Sequence, residues 1–163
     1  MQEMELVGVR VEMPSNVPVL LLRERSAAAR LVPIFIGAPE ATAIALALDE
    51  IETPRPMTHD LIREIFDELD VDVEKVVVTD LSEKTFFAEL HLVREGQPHA
   101  VSCRPSDAIA IAARTGTPIF MEDLVIEEVG YHEDEDVVDN EPEEVVEQFK
   151  EFIESINPED FGD

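Results

Sequence analysis

Apolar residues alternate at the start of the chain: in MELVGVRVE, Val7, Val9 and Val11 fall on one face of a predicted strand. Two short apolar runs follow, PVLLLRE and RLVPIFIG, with turns predicted at Ser15-Asn16 and Ser26-Ala27. After Gly37 the period changes. APEATAIALALDEIE has the alanine and leucine content of a helix with Pro39 in its first turn. Its apolar residues occupy nearly every side, which predicts burial inside the monomer or against another subunit. Residues 58–69 place Leu61, Ile62, Ile65, Phe66 and Leu69 on one stripe of an amphipathic helix. VEKVVVTDL, TFFAELHLVRE and PHAVSC then read as a three-stranded meander. Phe86, Ala88, Leu90 and Leu92 face one way, Glu89 and His91 the other, and Glu95-Gly96 makes the last turn. SDAIAIAARTG predicts a third helix from Ser106 to a left-handed Gly116, and TPIFM returns as a short strand. Strands and helices do not alternate regularly. The prediction is an α+β fold: a mixed, largely antiparallel sheet packed with about three helices, plus a C-terminal amphipathic helix.

Length and hydrophobic content suit one core: 163 residues, 45% hydrophobic. The predicted organisation is a domain over residues 1–130, an acidic linker over 131–141 and an acidic helix and tail over 142–163. In the last segment Val145, Val146, Phe149, Phe152, Ile153 and Ile156 form a stripe between Pro142 and Asn157-Pro158. The stripe would dock on the chain's own core, a neighbouring subunit or another protein. The first two rank ahead, since an uncovered apolar stripe is a liability in water.

Charge narrows the function. Twelve Lys and Arg against 38 Asp and Glu give a net of −26, and residues 131–163 hold 14 of the acids and only Lys150. Phosphate neutralisation by basic side chains supplies most non-specific nucleic-acid affinity, so any phosphate site here must be local, built by a few arginines against the overall field. No apolar run reaches the roughly 18 residues of a membrane span, and MQEMEL does not resemble a secretory signal. A cytoplasmic protein without membrane contact is expected. The single Cys103 excludes an internal disulfide and reads as a small hydrophobe at a strand end.

Two stretches carry candidate chemistry. RPMTHDL (55–61) and RPSDAIA (104–110) share one grammar: Arg-Pro, a hydroxyl residue, then an aspartate in the first helical turn. Thr58 and Ser106 are predicted N-caps, with Asp60 and Asp107 favourable to the helix dipole. Capping leaves Arg55 and Arg104 unexplained at the wrong end of that dipole. Each needs either a carboxylate partner or an anionic ligand such as phosphate. A phosphodiesterase needs charge stabilisation and proton transfer. Arg55 and Arg104 would clamp phosphate, helped by Thr58 and Ser106. His59 would act as general acid or base, and Asp60, Asp107 or Glu40 would orient it or hold a divalent ion, Mg²⁺ or Mn²⁺. His91, His99 and His132 read as solvated. HExxH, Walker and GxSxG patterns are absent from the sequence.

RLVPIFIGAPEATAIALAL, RPMTHDL and RPSDAIAIAARTGTPIFMED, in this order and spacing, resemble the bifunctional nuclease domain family of bacteria, archaea and plants over about residues 4 to 128. The acidic tail is similar to the actinobacterial branch. The resemblance implies a compact α+β domain that tends to oligomerise, a dimer being expected, and a DNase or RNase activity of the kind attributed to plant members. It carries Glu40, Arg55, Thr58, His59, Asp60, Arg104, Ser106 and Asp107 over as site residues. The expected function is therefore hydrolysis of DNA or RNA phosphodiester bonds, with nucleic acid as partner despite the net charge. The alternative is a non-catalytic oligomeric binding or regulatory protein that engages a partner through its acidic helix.

Overall fold

The structure, a computed structural model, describes residues 1–133, so most of the acidic linker and all of the expected tail helix lie outside the described residues. Two antiparallel meanders form the frame. The first is β1 (Gln2–Glu12), β2 (Val17–Glu24) and β3 (Leu31–Phe35), and the second is β4 (Val71–Ser82), β5 (Thr85–Arg94) and β6 (Gln97–Cys103). A three-residue strand, β7 (Ile119–Met121), joins them into a seven-stranded sheet of order β3-β2-β1-β7-β4-β5-β6. It pairs antiparallel with Gln2–Met4 of β1 and parallel with Val76–Val78 of β4, so the sheet is mixed but antiparallel at every other contact.

Helices α1 (Ala38–Leu48), α2 (Thr58–Glu68), α3 (Pro105–Thr115) and α4 (Asp123–Val129) complete the described residues. The fourth was not foreseen, although EDLVIEEV spaces Val125, Ile126 and Val129 for one buried stripe. Leu20, Leu22, Val76, Val78 and Leu90 of the sheet meet Ile44 of α1, Ile109 and Ile111 of α3 and Ile126 of α4 in one core. α3 is central: Ala108 through Ala112 are all buried, and both α1 and α2 pack against it. Its small alanines allow that close approach. The helix closes at Gly116 in the left-handed conformation (φ 69°), as expected.

The structure departs from the sequence reading at several points. Val7 does not share a face with Val9: a bulge between Leu6 and Gly8 shifts the register, Leu6 and Val9 pack on the core, and Val7 is exposed. Within the single chain α1 buries Ala41, Ala43, Ile44 and Ala45 and leaves Leu48 and the residues at its start exposed. The α2 stripe is divided. Ile62 and Phe66 reach the core, whereas Leu61, Ile65 and Leu69 are about half exposed. Where the linker was expected to begin, Tyr131 instead exchanges two backbone hydrogen bonds with Leu31 and its hydroxyl accepts one from Arg10.

Candidate functional site

Thr58 and Ser106 are not the N-caps. Met57 and Arg104 hold those positions in extended backbone, and the helices begin at Thr58 and Pro105. The reason is local: Pro105 has no N–H and its fixed φ suits the first helical position, which moves Ser106 inward to a buried second position. In α2 the Asp60 carboxylate reaches back to accept the Met57 N–H at 3.0 Å, a bond that supplies the cap from inside.

Each of the three longer helices thus carries an acid at its third residue: Glu40 in α1, Asp60 in α2 and Asp107 in α3. These carboxylates suit the positive helix ends and also bind the arginines. Arg104 Nε donates to Asp107 Oδ2 at 2.8 Å, and its Nη2 donates to Glu40 Oε1 at 2.9 Å. Two carboxylates therefore offset a cation that the dipole alone would disfavour, and they raise the Arg104 pKa, Asp107 contributing more than Glu40. Asp60 turns the other way, to Arg114 Nε at 2.6 Å.

The two Arg-Pro corners meet through histidine. His59 is buried, and its Nε2 lies 3.0 Å from Asp107 Oδ1. Partial burial works to raise the Asp107 pKa, but the hydrogen bonds from Arg104 and His59 outweigh it and hold the carboxyl below its usual range. An ionised Asp107 accepts, so a neutral His59 must carry its proton on Nε2, leaving Nδ1 as the basic nitrogen.

These groups close one end of a cavity of about 460 Å³ between α1, α2 and the start of α3. Glu40, Thr58, His59, Arg104 and Asp107 form the polar part of its lining; Ala38, Pro39, Ala43, Leu46 and Met57 form the apolar part, with Thr42 between. Arg55, Asp60 and Ser106 do not line it. Arg55 is exposed, makes no ion pair among the described residues and is fixed only by its carbonyl, which accepts from Thr53 Oγ1 at 2.6 Å. The expected convergence of Arg55 with Arg104 beside His59 is thus not what the fold produces; Thr58 and His59 are the part of that corner that reaches the pocket.

Sequence reasoning missed two residues here. Arg114, 5% exposed, donates to Asp60 and to the carbonyls of Ala110 and Ala43, tying α1, α2 and α3 together beneath the pocket. A lone arginine in the apolar run AIAIAART was the available signal. Gly37 is the other. Its φ of −74° needs no glycine, but a Cβ there would strike the Glu40 carboxylate folded over it. Among the described residues no three His, Cys, Asp or Glu side chains are arranged to hold a metal ion. The two carboxylates of the pocket, Glu40 and Asp107, both pair with Arg104, and no step below is routed through a metal ion.

Away from the pocket, His91 pairs with Glu89 at 3.1 Å and His99 is exposed. Cys103 ends β6 half-buried, and burial first, then the charge of Asp107, push its thiol up to about 11. No helix among the described residues is long and apolar enough to cross a membrane.

Fold and site together define an α+β domain with a histidine, carboxylate and arginine pocket where three helices begin. The bifunctional nuclease domain family matches residues 20–134, and the chain belongs to that family. It is 46% identical to an uncharacterised protein of Mycobacterium tuberculosis over 165 aligned residues, covering 99% of this chain and 98% of that one. It is also 30% identical to bifunctional nuclease 1 of Arabidopsis thaliana over 107 residues and 29% identical to bifunctional nuclease 2 of Oryza sativa subsp. japonica over 106. These alignments cover 63% of this chain and 32% of each plant protein, so the chain spans about a third of the plant relatives' length.

Proposed function

We propose that the chain hydrolyses phosphodiester bonds of DNA or RNA at this pocket, with His59 as the proton-transfer group, Asp107 as its positioning residue and Arg104 as the phosphate ligand. The observation that carries this reading is the contrast between the two paired arginines. Arg114 is 5% exposed and serves the fold, whereas the Arg104 side chain is 64% exposed and lines the cavity. For a phosphate to take the place of Glu40 on Arg104, the Glu40 side chain, 15% exposed in the pair, turns out toward water while Asp107 keeps its two bonds to the guanidinium. His59 Nδ1 takes the proton of a water attacking phosphorus, Arg104 offsets charge on the phosphoryl oxygens, and the imidazolium returns a proton to the leaving oxygen. Membership of the family and the names of the plant relatives support the same chemistry.

A non-catalytic binding protein is the second reading, favoured by one observation: Arg104 is already occupied by two carboxylates. Cleavage of labelled single-stranded DNA and RNA by wild type, His59→Ala and Arg104→Ala, purified identically, decides between them. Losing the general acid and base costs about 10²–10⁴-fold. Cleavage that survives in His59→Ala at the wild-type rate overturns the hydrolase, and cleavage absent from all three proteins selects the binding reading.

A further inference from the structure

We propose that the pocket takes a single nucleotide, its phosphate on Arg104 and its base in the apolar trough between α1 and the start of α2, so that the ligand is a free nucleotide or a strand end and never the body of a duplex. This rests on the phosphate-binding role of Arg104 given above and specifies its ligand. Polar and apolar groups both line the cavity. Glu40, His59, Arg104 and Asp107 are joined by hydrogen bonds at one end. Leu46 lies six residues farther along α1, about 9 Å at the helical rise. Thr42 and Leu46, one turn apart, share the α1 wall, and Met57 lines the same cavity. Ala43, between Thr42 and Leu46 in the chain, leaves space there that a larger side chain would fill. A phosphate alone would leave this apolar wall wet, whereas a flat base covers it and meets the polarizable Met57 thioether.

The volume, about 460 Å³, suits one small molecule. Charge points the same way. A protein that tracks a polyanion lines its path with Lys and Arg, but Arg104 is the only one of these in the lining, and the chain carries a net −26. Electrostatics therefore supplies one phosphate contact, and the apolar trough must supply the rest of the affinity.

The test is calorimetric titration of the full chain with adenosine 5′-monophosphate, inorganic phosphate, adenosine and a 12-base-pair duplex. The monophosphate should bind at least tenfold more tightly than phosphate or adenosine alone. Its affinity should change little between 50 and 200 mM salt, because a mononucleotide has no condensed counterions to release, where six or more phosphate contacts on a strand would cost about a thousandfold. Thr42→Trp, which puts a large ring in the trough and leaves His59 and Arg104 in place, should remove the advantage of the monophosphate and leave phosphate binding intact. Leu46→Trp, six residues beyond Glu40 along α1, serves if the first variant does not fold. Duplex binding equal to that of the monophosphate with a steep salt response, or unchanged monophosphate affinity in a folded trough variant, overturns the proposal. His59-dependent cleavage within duplexes would overturn this ligand class and leave the hydrolase standing. Monophosphate binding as described, with no cleavage of any substrate, would support the ligand class and remove the hydrolase.

Discussion

Asp60→Ala should destabilise the protein by about 3 kcal/mol, because the Asp60 carboxylate holds both the start of α2 and a buried arginine. Breaking a fully buried ion pair by removing one partner costs about 3–5 kcal/mol. Arg114 meets that description at 5% exposure, but Asp60 is 33% exposed and Arg114 keeps its bonds to the Ala110 and Ala43 carbonyls. The stranded guanidinium then costs about 2 kcal/mol, below that range. The lost bond from the Met57 N–H adds about 1 kcal/mol, a typical capping contribution. A loss of this size lowers Tm by roughly 10 °C in a domain of this length. Urea and thermal denaturation followed by circular dichroism measure it. The sign with pH is a second check. Burial works to raise the Asp60 pKa, but the Arg114 and Met57 hydrogen bonds prevail and hold it below the usual carboxylate value. A depressed folded pKa stabilises above the unfolded value, about 3.9, and that stability is lost as pH falls through the folded pKa. The gap between wild type and Asp60→Ala should therefore be constant from pH 5 to 8 and close below about pH 4. Arg114→Met should cost less in the Asp60→Ala background than alone. A loss under about 0.5 kcal/mol, the size of an ordinary surface change, or strict additivity of the two substitutions, would refute the pairing.

Gly37→Ala should cost about 1 kcal/mol, the worth of the Glu40 hydrogen bond it displaces, and the cost should vanish in a Glu40→Ala background; a cost that persists there would place the clash elsewhere. In the cleavage assay Arg55→Ala should lower activity far less than Arg104→Ala, since Arg55 does not line the pocket; equal losses would contradict this geometry. Gly130→Ala should cost about 1–3 kcal/mol, because the added methyl meets the Ile126 carbonyl at the end of α4, where the backbone has no slack. Tyr131 is the single tyrosine in a chain without tryptophan, so its fluorescence should change in that variant as its contact with Arg10 loosens, and an unchanged spectrum would argue against the coupling.

Much of the architecture was legible because it depends on local periodicity. The β5 alternation, with Ala88, Leu90 and Leu92 buried and His91 on the other face, follows from a side-chain period of two, and the left-handed Gly116 follows from the needs of a helix end. The Arg-Pro corners were legible as helix starts that capping alone could not explain. Which arginine would line the cavity was not, since that depends on groups far away in the chain. Glu40 reaches Arg104 across 64 positions, His59 meets Asp107 across 48, and Asp60 is drawn from the pocket by Arg114 across 54. The bulge that turns Val7 outward is likewise a matter of strand pairing. Sequence determined the elements, the candidate residues and the net charge, all properties of near neighbours or of sums. Tertiary structure alone decided their partners and the shape of the cavity, because packing α1 and α2 against the alanine-rich α3 brings three helix starts into one place.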